Sequence, residues 1–132
     1  MIHEIEKKFI QQFIIKEKRD RLLYELSGKK RQHGIGRFCH NAQELLISEK
    51  VIASGNDLSH DTIIDAVEKY HVTGNWYIIA YNQELDRKIF PLQEALTHML
   101  GNGMAAILIS DTMAIVETEQ CYGIPTHYIL HC

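Results

Sequence analysis

Residues 104–118 read MAAILISDTMAIVET, two β-prone apolar runs on either side of Asp111-Thr112. That arrangement predicts a tight antiparallel hairpin, although Asp-Thr is weaker turn chemistry than Asp-Gly. Working outward, Trp76 to Tyr81 is a continuous apolar and aromatic run only six residues long, which suits a buried strand rather than a helix. The polar stretch Asn82 to Asp86 then turns the chain, and Lys88 to Phe90 pairs back as a short strand. His127 to Leu130, after the break at Gly123 to Pro125, supplies the last strand.

Helical spacing dominates the first half. Ile2, Ile5, Phe9 and Phe13 recur at steps of three and four, and Ile15, Leu22, Leu23 and Leu26 resume the stripe before Gly28 stops it. The charged interruption at Lys16 to Arg21 fits a kink, two short helices or one helix whose buried face rotates. Lys29 to Gly36 reads as a basic connector, and Ile35, Phe38, Cys39, Ala42, Leu45 and Leu46 mark a second helix near 36–47. Asn41 followed by Glu44 offers a capping box and a later start. Asn56, Asp57 and Ser59 carry capping chemistry for a third helix holding Ile63, Ile64, Val67 and Tyr70, which Gly74 would end. Pro91 suits a first helical residue, with Leu92, Ala95, Leu96 and Met99 behind it up to Gly101. The expected fold is α+β, a helical N-terminal half packed on a small, mostly antiparallel sheet of about four strands, with one further helix. At 132 residues the chain is expected to form a single globular domain over 1–132.

Composition narrows the function classes. With 45% apolar and 23% charged residues, eight Gly and two Pro, the chain is neither disordered nor fibrous. No window approaches the roughly 18 consecutive apolar residues of a membrane helix, and MIHEIEKKFIQQ mixes acids and bases where a signal peptide needs an apolar stretch. Cys39, Cys121 and Cys132 are odd in number and irregularly spaced, which argues against a disulfide framework and for a reducing compartment, the cytoplasm. The net charge of -3 is unevenly spread. Residues 16–37 hold eight Lys and Arg against three acids, and residues 38–132 hold four against twelve.

The basic stretch is the first candidate site, because clustered cations track phosphates while a nearby ring, Phe38 or His33, stacks a base. Its residues are Arg19, Arg21, Lys29, Lys30, Arg31 and Arg37, with His40. The competing reading is a solvated helix face with four-apart pairs, Lys16 to Asp20 and Arg21 to Glu25. His33-Gly34-Ile35-Gly36 lacks the preceding strand or Walker spacing of a phosphate loop. Cys39 beside Arg37 and His40 invites a thiolate reading, but adjacent helical residues point about 100° apart and Cys39 lies on the apolar stripe. Cys121, His127, His131 and Cys132 look like metal ligands, yet in a strand the two histidines lie about 13 Å apart. The other histidines are scattered, and neither a nucleophile elbow nor a paired-carboxylate arrangement stands out. No catalytic residue, metal or cofactor is therefore assigned.

The run Lys18 to Leu26, followed by Lys29-Lys30-Arg31 and Arg37-Phe38-Cys39-His40, resembles the N-terminal stretch of a family of small uncharacterised bacterial proteins. Pro91 to Leu96 and the apolar hairpin are similar to their second half. The resemblance implies a bacterial, cytoplasmic single domain and carries over no activity. The leading expectation is a non-catalytic intracellular binding protein for a protein partner, of a regulatory or toxin-neutralising type, its acidic side steering a basic partner. The alternatives are nucleic-acid or phosphate binding through the basic segment and a small enzyme.

Overall fold

In the computed structural model, residues 3–56, 58–99, 105–118 and 126–132 are described. One antiparallel sheet contains β1 (Val51–Asn56), β2 (Trp76–Ala80), β3 (Ile89–Phe90), β4 (Ala106–Ile109), β5 (Met113–Glu117) and β6 (Thr126–His131). Its order is β1-β6-β5-β4-β2-β3. The α+β class holds, with six strands where about four were expected. The unforeseen strand is β1, whose Val51-Ile52-Ala53-Ser54-Gly55-Asn56 neither alternates nor runs apolar throughout. It exists because β6 templates it, across an irregularity in register between Val51 and Ala53.

The hairpin pairs as its sequence predicts, with Leu108 opposite Ile115, and Ser110 N–H donating to the Met113 carbonyl at 2.9 Å across the turn. Alternation sends Ile107, Ile109, Ala114 and Val116 to one core and Ala106, Leu108, Met113 and Ile115 to the other. Both sets are buried, which is why these strands read as unbroken apolar runs. The first face is covered by α1 (Glu4–Phe13), α2 (Lys16–Ser27), α3 (Arg31–His40) and α4 (Ala42–Leu45). The opposite face is covered by α5 (His60–Lys69) and α6 (Leu92–Met99), so the sheet lies between two helical layers.

Local chemistry explains the helix boundaries. The stripe breaks at Ile14, which bridges to Leu46, while Ile15 N–H donates to the Leu45 carbonyl at 2.9 Å and Ile47 N–H to the Phe13 carbonyl at 2.8 Å. A chain that pairs there cannot continue as helix, so two helices form. The expected connector 29–36 is mostly helix, because α3 begins at Arg31 and contains both Gly34 and Gly36. Gly34 lets α2 and α3 approach closely, since a Cβ there would sit 2.7 Å from Glu25 Cβ. No capping box forms at Asn41, whose side-chain amide donates back to the Arg37 carbonyl at 3.2 Å. Ser59 caps α5 by accepting from Thr62 N–H, and the helix ends at Tyr70 ahead of His71 at φ 56°, earlier than Gly74. Pro91 precedes α6 rather than opening it, and its carbonyl accepts from Ala95 N–H at 3.0 Å. Asp57, Gly101, Met104, Cys121 and the break at Gly123 to Pro125 lie outside the described residues. Among the described residues no helix is long and apolar enough to cross a membrane.

Candidate functional site

Folding separates the cations of the basic stretch into different roles. Arg31, in the first turn of α3, is buried. Its Nε donates to Asp86 Oδ2 at 2.6 Å, and its Nη2 to Asp86 Oδ1 at 2.9 Å and Glu6 Oε2 at 2.6 Å. Nη1 donates to Glu6 Oε1 at 2.7 Å and the Leu26 carbonyl at 3.0 Å. All five guanidinium donors are thereby used, which leaves none for a phosphate. Burial opposes the charge, but the hydrogen bonds to Asp86 and Glu6 outweigh it and raise the Arg31 pKa above its ordinary value. The Tyr77 hydroxyl completes the network by donating to Glu6 Oε2 at 2.6 Å. Asp86 Oδ1 also accepts from Ala80 N–H at 3.0 Å, tying the 81–87 loop to β2.

Arg19 is also committed, because its Nε donates to the Ile14 carbonyl at the C-terminus of α1, at 2.8 Å. Arg37 pairs with the buried carboxylate of Glu25 through Nε, 3.1 Å from Oε1, and through Nη2. Arg21 Nε and His33 Nε2 each stand 3.9 Å from the same carboxylate. Lys29, Lys30 and His40 are exposed. Of the seven residues expected to bind, Arg37 and His40 line one open groove of about 520 Å³, together with His33, Gly36 and Tyr81.

A second concavity of about 310 Å³ lies between α1 and the sheet. Its apolar wall is Ile5, Phe9, Tyr77, Ile89 and Ile109, and Ile89 on β3 stands 55% exposed beside it. The polar lining includes Gln12, Asn75 and Ser110, and Lys8 Nζ donates to Asp111 Oδ1 at 2.8 Å. That hydrogen bond and the opposite charge raise the Lys8 pKa and lower the Asp111 pKa from their ordinary values. Sequence reasoning missed this cavity because its walls come from four separate segments. The available signal was the short strand before Pro91, which places an isoleucine on a sheet edge.

The remaining candidates are kept apart or committed elsewhere. Cys39 is buried in the core beneath α3 and His40 is exposed, so they do not form a nucleophile and base. His127 is wholly buried, its Nδ1 accepting from Leu58 N–H at 3.1 Å and its Nε2 lying 2.7 Å from Glu117 Oε1. With Nδ1 an acceptor, Nε2 is the protonated nitrogen and donates to the carboxylate. His131 stacks on Tyr70 with ring centroids 4.4 Å apart. Among the described residues no three His, Cys, Asp or Glu side chains converge as metal ligands. Comparison with known proteins gives no matching family model, no matching curated protein and no matching solved structure. The functional reading therefore rests on geometry.

Proposed function

We propose that this is a non-catalytic, cytoplasmic binding protein that takes a protein partner, of a regulatory or toxin-neutralising type. The observation that carries the reading is the cavity between α1 and the sheet, with Ile89 exposed beside it on the edge strand β3. A cavity of about 310 Å³ with apolar walls suits one large apolar side chain of a partner, and such buried anchors dominate protein interfaces. The Lys8–Asp111 pair and the neutral groups of Gln12, Asn75 and Ser110 give that anchor a polar surround. The acids invoked for steering lie on the other side of the sheet, where α5 and α6 hold Asp61, Asp65, Glu68 and Glu94 against Lys69. Those acids face away from the cavity, so the apolar anchor carries the proposed contact without them.

The test compares native protein with Ile89→Glu in affinity capture from cell extract, followed by reconstitution with the purified captured protein. The expected result is a stoichiometric complex that Ile89→Glu weakens at least tenfold, typical for loss of an anchoring contact. Because Ile89 is exposed, thermal melts of the variant should match those of the native chain. Recovery of nothing stoichiometric, or equal recovery by both proteins, would overturn the reading. Nucleic-acid binding across the whole basic segment loses support from the internal roles of Arg19 and Arg31.

A further inference from the structure

We infer that the α3 groove is a nucleotide site, in which Tyr81 stacks the base and the neighbouring Arg37 and His40 receive the phosphate. This goes beyond the protein-binding reading and rests on different residues. His33, Gly36, Arg37 and His40 are spaced by three, one and three positions, which places them along one face of α3. Tyr81, a residue 45% exposed, lines the same groove.

Tyr81 is exposed and yet held. Its N–H donates to the Ala105 carbonyl at 3.0 Å, and its own carbonyl accepts from Gln32 Nε2 at 2.9 Å. The backbone is thus anchored to β4's approach on one side and to α3 on the other, while the ring faces the groove. Gly36 lies beside the ring, where even a Cβ would make only ordinary contact with it at 4.0 Å. A half-exposed aromatic ring on an anchored backbone, beside a cationic helix face, is a surface on which a nucleobase can stack.

The helix face supplies the anion chemistry. Glu25 fixes the Arg37 guanidinium through Nε and Nη2, and Nη1 makes no hydrogen bond among the described residues. The carboxylate does not cancel the local charge, because Arg21 and Arg37 both face it, leaving an excess of one cation. Lys29 and Lys30, exposed just before α3, add to the positive field around the helix. A metal ion is a poorer occupant, because His33 and His40 stand seven helical positions, about 10 Å along the axis, apart. A purely apolar ligand would leave the guanidinium and the His40 imidazole without a role.

The chemistry recognised, an aromatic base joined to a phosphate, occurs both in a free nucleotide and in single-stranded nucleic acid. The experiment titrates isotopically labelled protein with inorganic phosphate, adenosine monophosphate and a ten-nucleotide adenine RNA, at low and physiological salt. The expected result is shifts confined to residues 32–41 and 81, with the nucleotide binding more tightly than phosphate alone. Tyr81→Ala should weaken nucleotide binding roughly tenfold and leave phosphate binding unchanged, whereas Tyr81→Phe should retain both. His40→Gln should weaken phosphate and nucleotide alike.

An oligonucleotide affinity well above that of the mononucleotide, falling steeply with salt, assigns the site to a strand; equal affinities assign it to a free nucleotide. Absence of binding by all three probes at low salt, shifts that map elsewhere, or an unchanged nucleotide affinity in Tyr81→Ala would overturn the inference. Ile89→Glu should bind nucleotide normally, so failure of the protein-partner reading remains distinguishable from failure of this one.

Discussion

At Arg31 a guanidinium buried between α1, α3 and the 81–87 loop holds two carboxylates, Glu6 and Asp86, which form no other ion pair among the described residues. Replacing it by Met should cost about 3–5 kcal/mol, read as a lower urea midpoint, because it leaves buried charge uncompensated. A loss below about 1 kcal/mol would show that the carboxylates find other partners. Tyr77 makes a pH prediction at the same network. Burial, and then the hydrogen bond to Glu6, raise the Tyr77 hydroxyl above its ordinary value of 10. Above about pH 10 the unfolded chain releases this proton while the folded chain retains it, so the stability contributed by the hydroxyl declines as pH rises. Tyr77→Phe should be less stable by about 1–3 kcal/mol at pH 7. That gap should narrow above about pH 10 in denaturation midpoints measured from pH 7 to 11; parallel profiles would contradict it. None of this was legible in the sequence, where Lys29, Lys30 and Arg31 stand together. Only the opposing carboxylates, 25 and 55 positions away, separate the third cation from the first two.

For the elements, the two glycines of α3 make opposite predictions. Gly34→Ala should destabilise by about 1–2 kcal/mol despite better helix propensity, because the new Cβ would meet Glu25 Cβ at 2.7 Å and push α2 and α3 apart. Gly36→Ala should stabilise by up to about 1 kcal/mol, since its Cβ would make only ordinary contact with the Tyr81 ring. Thermal melts that rank these two variants the other way would contradict this account of how the helices pack. The same pair shows why the basic connector was misread. A glycine weakens helix propensity, and nothing local reveals that a neighbouring helix requires the missing side chain. Ser59 and the apolar spacing of α5 were legible because capping and periodicity are local signals.

Across the whole molecule, ten Lys and Arg stand against six acids in residues 4–45, while α5 and α6 hold four acids against one lysine. The sheet therefore separates a net-basic helical layer from a net-acidic one. Its strand order places β5 and β4 innermost and β1 and β3 at the edges. Amide hydrogen exchange should be slowest in β4 and β5 and faster at β1 and β3, because inner strands open only with the global fold. Comparable protection of β1 and β5 would mean that the β1 edge is covered in solution, as by a partner strand.

The strands of the hairpin and the amphipathic helices follow from residue type and spacing, since a run that buries both sides and a stripe that buries one are written in the chain itself. Composition excluded a disordered or fibrous chain on the same local basis. Three features needed the tertiary structure: the sixth strand, the distribution of helices over both sheet faces, and the division of the basic residues into buried ties and solvent-facing groups. Each depends on contacts between segments far apart in sequence, where neither spacing nor propensity identifies the partner. Both concavities arise in the same way, and the aromatic ring of the α3 groove comes from 41 positions beyond His40.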